Sequence, residues 1–181
     1  DEDAEYSRVI DIDLCKLAPL AAMPHMPDNV KSVAEIGEIK VDQVLIGSCT
    51  NSSLLDMMKV AKILKGKKVH PSVSLGIAPG SKQVLNMLAL NGALADMIDA
   101  GARILESACG PCIGMGQSPN SKGISLRTFN RNFEGRSGTA DAGVYLVSPE
   151  TAAAAALTGY LTDPRTLDTD LSGITLPEKF L

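Results

Sequence analysis

Between residues 39 and 159, short apolar runs that stop at a glycine or proline alternate with longer stretches whose apolar residues recur every three or four positions. This alternation restricts the fold more than any other feature. Neighbouring parallel strands need a crossover of a dozen or more residues, and a helix is the usual one. Residues 41–46 read as a buried strand that ends at Gly47. Asn51 or Ser52 is placed to cap a helix carrying Leu54, Met57, Ala61 and Leu64, and Gly66 to stop it. Residues 73–78 read as a second strand before the Pro79-Gly80 turn. Ser81 then caps a helix with Val84, Leu85 and Leu88, and after Asn91-Gly92 a short helix over 93–100 closes at Gly101. Residues 124–129 and 144–147 are further strands. Ser148-Pro149-Glu150 opens an alanine-rich helix over 151–157 that stops before Gly159. The pattern predicts an α/β fold, a three-layer αβα sandwich around a mostly parallel sheet.

Residues 1–37 lack this alternation. Val9-Ile10-Asp11-Ile12-Asp13-Leu14 fits a half-buried strand, and Pro19, Pro24 and Pro27 then break regular structure. We therefore expect 1–37 to be an extended connector from a preceding domain and 38–181 to be the α/β domain. The start Asp1-Glu2-Asp3, acidic and without methionine, reads as a cut through a longer protein. No apolar run approaches the roughly 20 residues that span a bilayer. A net charge of −4, 3% aromatic residues and no tryptophan argue against nucleic acid as a partner. Four cysteines, two of them as C-x-x-C, are too few for a secreted disulfide scaffold and point to a reducing compartment, the cytoplasm.

Three of those cysteines carry the chemistry. Cys49 lies in Gly47-Ser48-Cys49-Thr50-Asn51-Ser52, just past a strand, where open α/β sheets collect ligands. Cys109 and Cys112 lie in the glycine-rich Cys109-Gly110-Pro111-Cys112-Ile113-Gly114. Three thiolates can hold a metal or cluster while leaving one position open for substrate, whereas electron-transfer clusters take four protein ligands. Structural zinc would close its fourth position, and His25 and His70 have no ligand spacing to these cysteines. Cys15 reads as a core residue, and Met57, Met58, Met87 and Met97 as core filler. Arg127, Arg131 and Arg136 fall within ten positions, and guanidinium forks suit carboxylates. Arg127 reads as part of a solvated turn, Arg131 and Arg136 as ligand-facing.

Together with Asn130-Arg131-Asn132-Phe133-Glu134-Gly135-Arg136, these segments resemble the aconitase family of iron–sulfur hydro-lyases. Ser148-Pro149-Glu150 and Thr162-Asp163-Pro164-Arg165 resemble family segments too, so the likeness runs from about Ile39 to Arg165. It implies an aconitase-like domain with a [4Fe-4S] cluster on Cys49, Cys109 and Cys112, whose fourth iron binds the substrate. It implies that Asn130 lies near the cluster and that Arg131 and Arg136 bind carboxylates. The implied partners are a hydroxy-tricarboxylate substrate and the other domains of the parent enzyme. The family's general base and catalytic histidines lie in other domains, so the resemblance implies no catalytic acid or base here and no activity of this portion alone. The implied reaction is citrate to isocitrate through cis-aconitate. Homoaconitase or 3-isopropylmalate dehydratase large subunit is the alternative, since the latter more often carries Ser-Met between its cysteines. An RNA-binding regulator and a structural zinc domain are remoter readings.

Overall fold

The computed structural model of the chain describes residues 2–180. The outermost residue of each expected segment, Asp1 and Leu181, lies outside that range. Seven strands form one sheet: β1 (Leu20–Ala22), β2 (Val30–Ser32), β3 (Gln43–Gly47), β4 (Ser74–Ala78), β5 (Arg103–Ile104), β6 (Ile124–Arg127) and β7 (Gly143–Leu146). Their order is β2-β1-β7-β6-β3-β4-β5. β3 to β7 run parallel, and β1 and β2 add an antiparallel edge beside β7. The chain builds outward from β3 through β4 to β5, then returns to the other side of β3 for β6 and β7. The carboxyl end of β3 is therefore the topological switch point, where the two directions part and a crevice opens.

One face of the sheet carries the helices α2 (Leu54–Leu64), α3 (Lys82–Leu90), α4 (Ala93–Ala100) and α5 (Pro149–Thr158), packed on one another. Val44 and Ile46 of β3 point into this layer with Met57, Val60, Ile63, Leu64, Leu88 and Met97. Burial of each such side chain stabilises by about 1.5–3 kcal/mol. In α5, Ala152 to Ala156 are all fully buried, because side chains this small let the helix lie close to both α2 and β3. Leu45 points to the opposite face and packs with Cys112, Phe129 and Leu105. The sheet is thus covered on both sides, and the second cover consists of loops and a 3-10 turn at Pro111–Ile113. Glycine at 110, 114 and 116 and proline at 111 and 119 keep a longer helix from forming there.

Several expectations changed. The cap of α2 is Ser53, whose hydroxyl accepts from Asp56 N at 3.2 Å while Ser53 N donates to the Asp56 carboxylate at 3.1 Å. Asn51 and Ser52 are committed elsewhere: Asn51 Nδ2 donates to Thr128 O at 2.7 Å, and Ser52 Oγ bonds Ser48 O. Residues 20–36, expected inside a connector, supply β1, β2 and the short helix α1 (Val33–Ile36). The prolines fall at positions that leave the β1–β2 and β1–β7 ladders intact. The 9–14 segment forms no strand, and Val9 is 72% exposed. Cys15 follows that segment and is exposed, not a core residue. Met57, Met87 and Met97 are buried as expected, with Met58 partly so. Among the described residues no helix is long and apolar enough to cross a membrane.

Candidate metal centre at the carboxyl edge of the sheet

Cys49 stands at the switch point on a loop tied to three strands. Gly47 (φ 108°) and Ser48 (φ 64°) turn the chain sharply as β3 ends. Gly47 N donates to Thr128 Oγ1 at 2.8 Å, just past β6, and Ser48 N donates to Ala78 O of β4 at 2.8 Å. No side chain fits at Gly47, where a Cβ would lie 2.0 Å from Ala78 O. Asn51 also reaches Thr128, through its carbonyl. Cys49 is left exposed, its sulfur 3.6 Å from Thr50 Oγ1.

The second loop follows β5. Its Cys109 and Cys112 sulfurs are 3.0 Å apart. Gly114 N donates to Pro111 O at 3.1 Å and Met115 N to Gly110 O at 3.0 Å, closing the turn. Ser48 Oγ donates to Ala108 O at 3.4 Å, which joins the two cysteine loops. The thiols differ in acidity. The hydrogen bond from Cys112 holds Cys109 below the usual thiol range, and contacts from Cys49, Ser48 and Arg136 act in the same direction against burial. Burial, first, and then the neighbouring Cys109 push Cys112 up to about 11. The exposed thiol is the readier nucleophile and ligand, and the buried one gives up its proton only to a strong partner.

The loop after β6 brings the arginines. Arg136 Nη2 points at Cys112 Sγ from 3.6 Å, and its guanidinium lies 5.7 Å from the Phe133 ring. Its Nε is buried without a partner, as are Ser107 Oγ, two positions before Cys109, and Ser137 Oγ, whose residue lies against Gly114. Arg131 and Asn130 are exposed on the same loop, with Arg131 Nη1 donating to Asn130 O at 2.7 Å. Of the three expected substrate residues, Arg136 alone has a recorded contact with a thiol.

Arg127 differs most from its sequence reading. It is fully buried, not in a solvated turn. Desolvation lowers its pKa to about 10, still well above neutral. Asn132 was also not singled out: it is fully buried, and its Nδ2 donates to Met23 O at 2.8 Å, tying the β1–β2 hairpin to the arginine loop. A signal for Arg127 exists in the alternation of β6, where Ser125 and Arg127 share the face opposite the helices.

Among the described residues, no three His, Cys, Asp or Glu side chains are close enough to hold a single metal ion. The three thiols nonetheless come from loops at one sheet edge and are near enough to influence one another's acidity.

Known proteins resemble this chain over most of its length. A model of the aconitase family (aconitate hydratase) matches residues 29–159. The 3-isopropylmalate dehydratase large subunit of Moorella thermoacetica is 48% identical over 165 residues, covering 91% of this chain and 39% of that protein. The protein of the same name from Caldanaerobacter subterraneus subsp. tengcongensis is 47% identical over 93% of this chain and 40% of its own length. That from Clostridium beijerinckii is 44% identical over 91% and 39%. This chain thus spans about two fifths of the curated relatives it matches. It belongs to the aconitase family.

Proposed function

We propose that this chain is the cluster-bearing part of a hydro-lyase of the 3-isopropylmalate dehydratase type, with Cys49, Cys109 and Cys112 as ligands of a [4Fe-4S] cluster. The observation that carries the reading is the Cys109–Cys112 pair beside the Arg136 guanidinium, with Cys49 on the loop that Ser48 ties to theirs. The donor set fits the group. Thiolates are the usual ligands of iron–sulfur clusters, and a cluster spreads them over several irons, so single-ion spacing is not required. The buried, unpartnered Nε of Arg136, whose Nη2 reaches Cys112, supplies further hydrogen-bonding capacity.

When bound, the cluster supplies a Lewis-acidic iron without a protein ligand, suited to polarising a hydroxyl as it leaves. The chain's own residues bind and orient. Arg136, held against Phe133, presents a fixed fork to one substrate carboxylate. Arg131 and Asn130 stand exposed on the same loop and complete the grip. Charge on the substrate is met by preset guanidinium groups, which need little reorganisation as the reaction proceeds. The base that moves the proton is assigned, as the family resemblance implies, to another part of the parent protein.

The relatives' name favours the second of the two activities expected from the sequence, so 3-isopropylmalate is the proposed substrate. Citrate, the first expectation, is kept by one observation, the Gly110-Pro111 pair between the cysteines. The relatives are named large subunits, so the assay pairs the full parent chain with its small subunit. After anaerobic reconstitution, absorbance reports formation of the unsaturated acid from either substrate. Turnover of isopropylmalate supports the proposal, and turnover of citrate alone transfers it to aconitate hydratase. An intact cluster with no turnover of either would reject both.

A further inference from the structure

Arg127 has no part in the reading above, and its surroundings are unusual. By volume it leads the fully buried side chains among the described residues. A buried cation is costly without a counter-charge, yet none of the recorded ion pairs includes it. Its hydrogen bonds all go to neutral acceptors: Nε to Ser125 Oγ (3.0 Å), Nη1 to Pro111 O (2.6 Å), and Nη2 to Gln43 Oε1 and Gln117 O (both 3.1 Å).

Two of those acceptors lie on the sheet and two on the segment that carries Cys112. Gln43 strengthens the connection, because its Oε1 also accepts from Ser125 Oγ at 2.7 Å and its Nε2 donates to Ser118 O at 3.1 Å. The segment from Pro111 to Ser118 is therefore fastened to β3 and β6 at both ends through one guanidinium and one amide. The ring of Phe129 lies 5.6 Å from the guanidinium, and Phe129 packs with Cys112.

We propose that Arg127 is a positioning residue for the cysteine loop. Its fork fixes the Pro111 and Gln117 carbonyls on the sheet, which sets where the Cys112 sulfur stands, and it places a permanent positive charge beneath the anionic group the cysteines hold. The charge half rests on the cluster reading above, and the positioning half does not. A fixed cation favours the more negative state of such a group, so it raises the reduction potential of a thiolate-held cluster.

The test uses the full parent chain carrying Arg127→Lys or Arg127→Met. Lysine keeps the charge and loses the fork, while methionine loses both and retains apolar volume. In the cluster-free chain, hydrogen exchange is read at the amides of Ile113, Gly114 and Met115, which close the loop. In the anaerobically reconstituted protein, iron content and midpoint potential are read. Both variants should speed exchange at those three amides about tenfold, as expected for loss of a charge-assisted hydrogen bond, with the β3–β4 amides unchanged. The methionine variant should also lose iron faster and show a more negative potential, and the lysine variant should keep a potential close to wild type. A methionine variant with wild-type exchange, iron content and potential overturns the proposal. Exchange that rises equally throughout the sheet overturns the positioning role in favour of a general contribution to stability. If methionine prevents folding, wild-type exchange in the lysine variant overturns the positioning half, and a wild-type potential in Arg127→Gln, which also loses the charge, overturns the charge half. A wild-type parent that takes up no iron sinks the cluster reading and the charge half with it, while the exchange pattern still decides the positioning.

Discussion

Replacing Gly47 with alanine tests whether the place of Cys49 is set by the sheet edge beneath it. Gly47 has φ 108°, and an added Cβ would lie 2.0 Å from Ala78 O and 2.9 Å from Ala78 C. Gly66 is a matched control, with φ 70° and nothing within 4 Å of the same added atom. Gly66→Ala therefore costs only the left-handed penalty of about 1–2 kcal/mol. Gly47→Ala carries that penalty and also collides with backbone in a central strand. The Ala78 carbonyl accepts from Ser48 N, and Ala78 is the ladder partner of Gly47, so it cannot swing away freely. Overpacking of this kind costs about 1–3 kcal/mol, and the broken Ser48 bond about 1 kcal/mol more. The two variants should then differ by roughly 2–4 kcal/mol. With a urea slope of about 2 kcal/mol/M, their unfolding midpoints, followed by circular dichroism, should lie about 1–2 M apart. In the parent protein Gly47→Ala should also lower iron retention, because Ser48 and Cys49 move with the displaced peptide. Midpoints that coincide would show that the Ala78 peptide yields easily and that this contact does not hold the loop.

In the cluster-free chain at about pH 8, iodoacetamide should modify Cys109 ahead of Cys112, since one thiol is exposed with a lowered pKa and the other is buried near 11. Peptide mass mapping gives the order, and the reverse order would contradict the acidity difference. Cys49→Ser in the parent should abolish cluster retention with the fold intact, because the side chain is exposed and contacts only Thr50 among the recorded hydrogen bonds. Unchanged iron content would remove Cys49 from the ligand set. Arg136→Lys should lower kcat/KM about tenfold despite the kept charge, as the fork is lost, and wild-type kinetics would place Arg136 outside the substrate site. For Glu150, burial raises the pKa, but the Lys59 ammonium at 3.0 Å and the start of α5 outweigh it, so the folded value lies below the usual one. Its contribution is complete above the unfolded carboxylate range and disappears as pH falls through the lowered folded value. Glu150→Gln should thus cost about 0.5–1 kcal/mol at neutral pH and almost nothing in acid, and a loss independent of pH would contradict the ion-pair explanation.

What could be read from the sequence was what neighbouring residues decide. Ser81 and Ser148 cap the expected helices, and Gly101 and Gly159 end them in left-handed conformations, because each such bond spans only a few residues. The cap of α2 moved to Ser53 because Asn51 is claimed by Thr128, 77 positions away, which no local pattern reports. The same holds for the alternating segment at 9–14 and the three-residue strands β1 and β2. The longer alternation found no partner, while the shorter strands paired with each other and with β7 over contacts that no local pattern reports.

The candidate site divides along the same line. Cys49, Cys109 and Cys112 were legible because a C-x-x-C pair and a third cysteine among small polar neighbours are rare enough to stand out. Arg127 was misread because an arginine four positions before Arg131 looks like one more member of a basic turn. Its acceptors come from Gln43, 84 positions away, and from the loop at 111–117, so its burial arises only once β3 and β6 pair. The candidate ligands could be picked out by residue type, whereas what holds their loops in place depends on topology. The support of the cysteine loop is thus where single substitutions such as Arg127→Lys can separate geometry from charge.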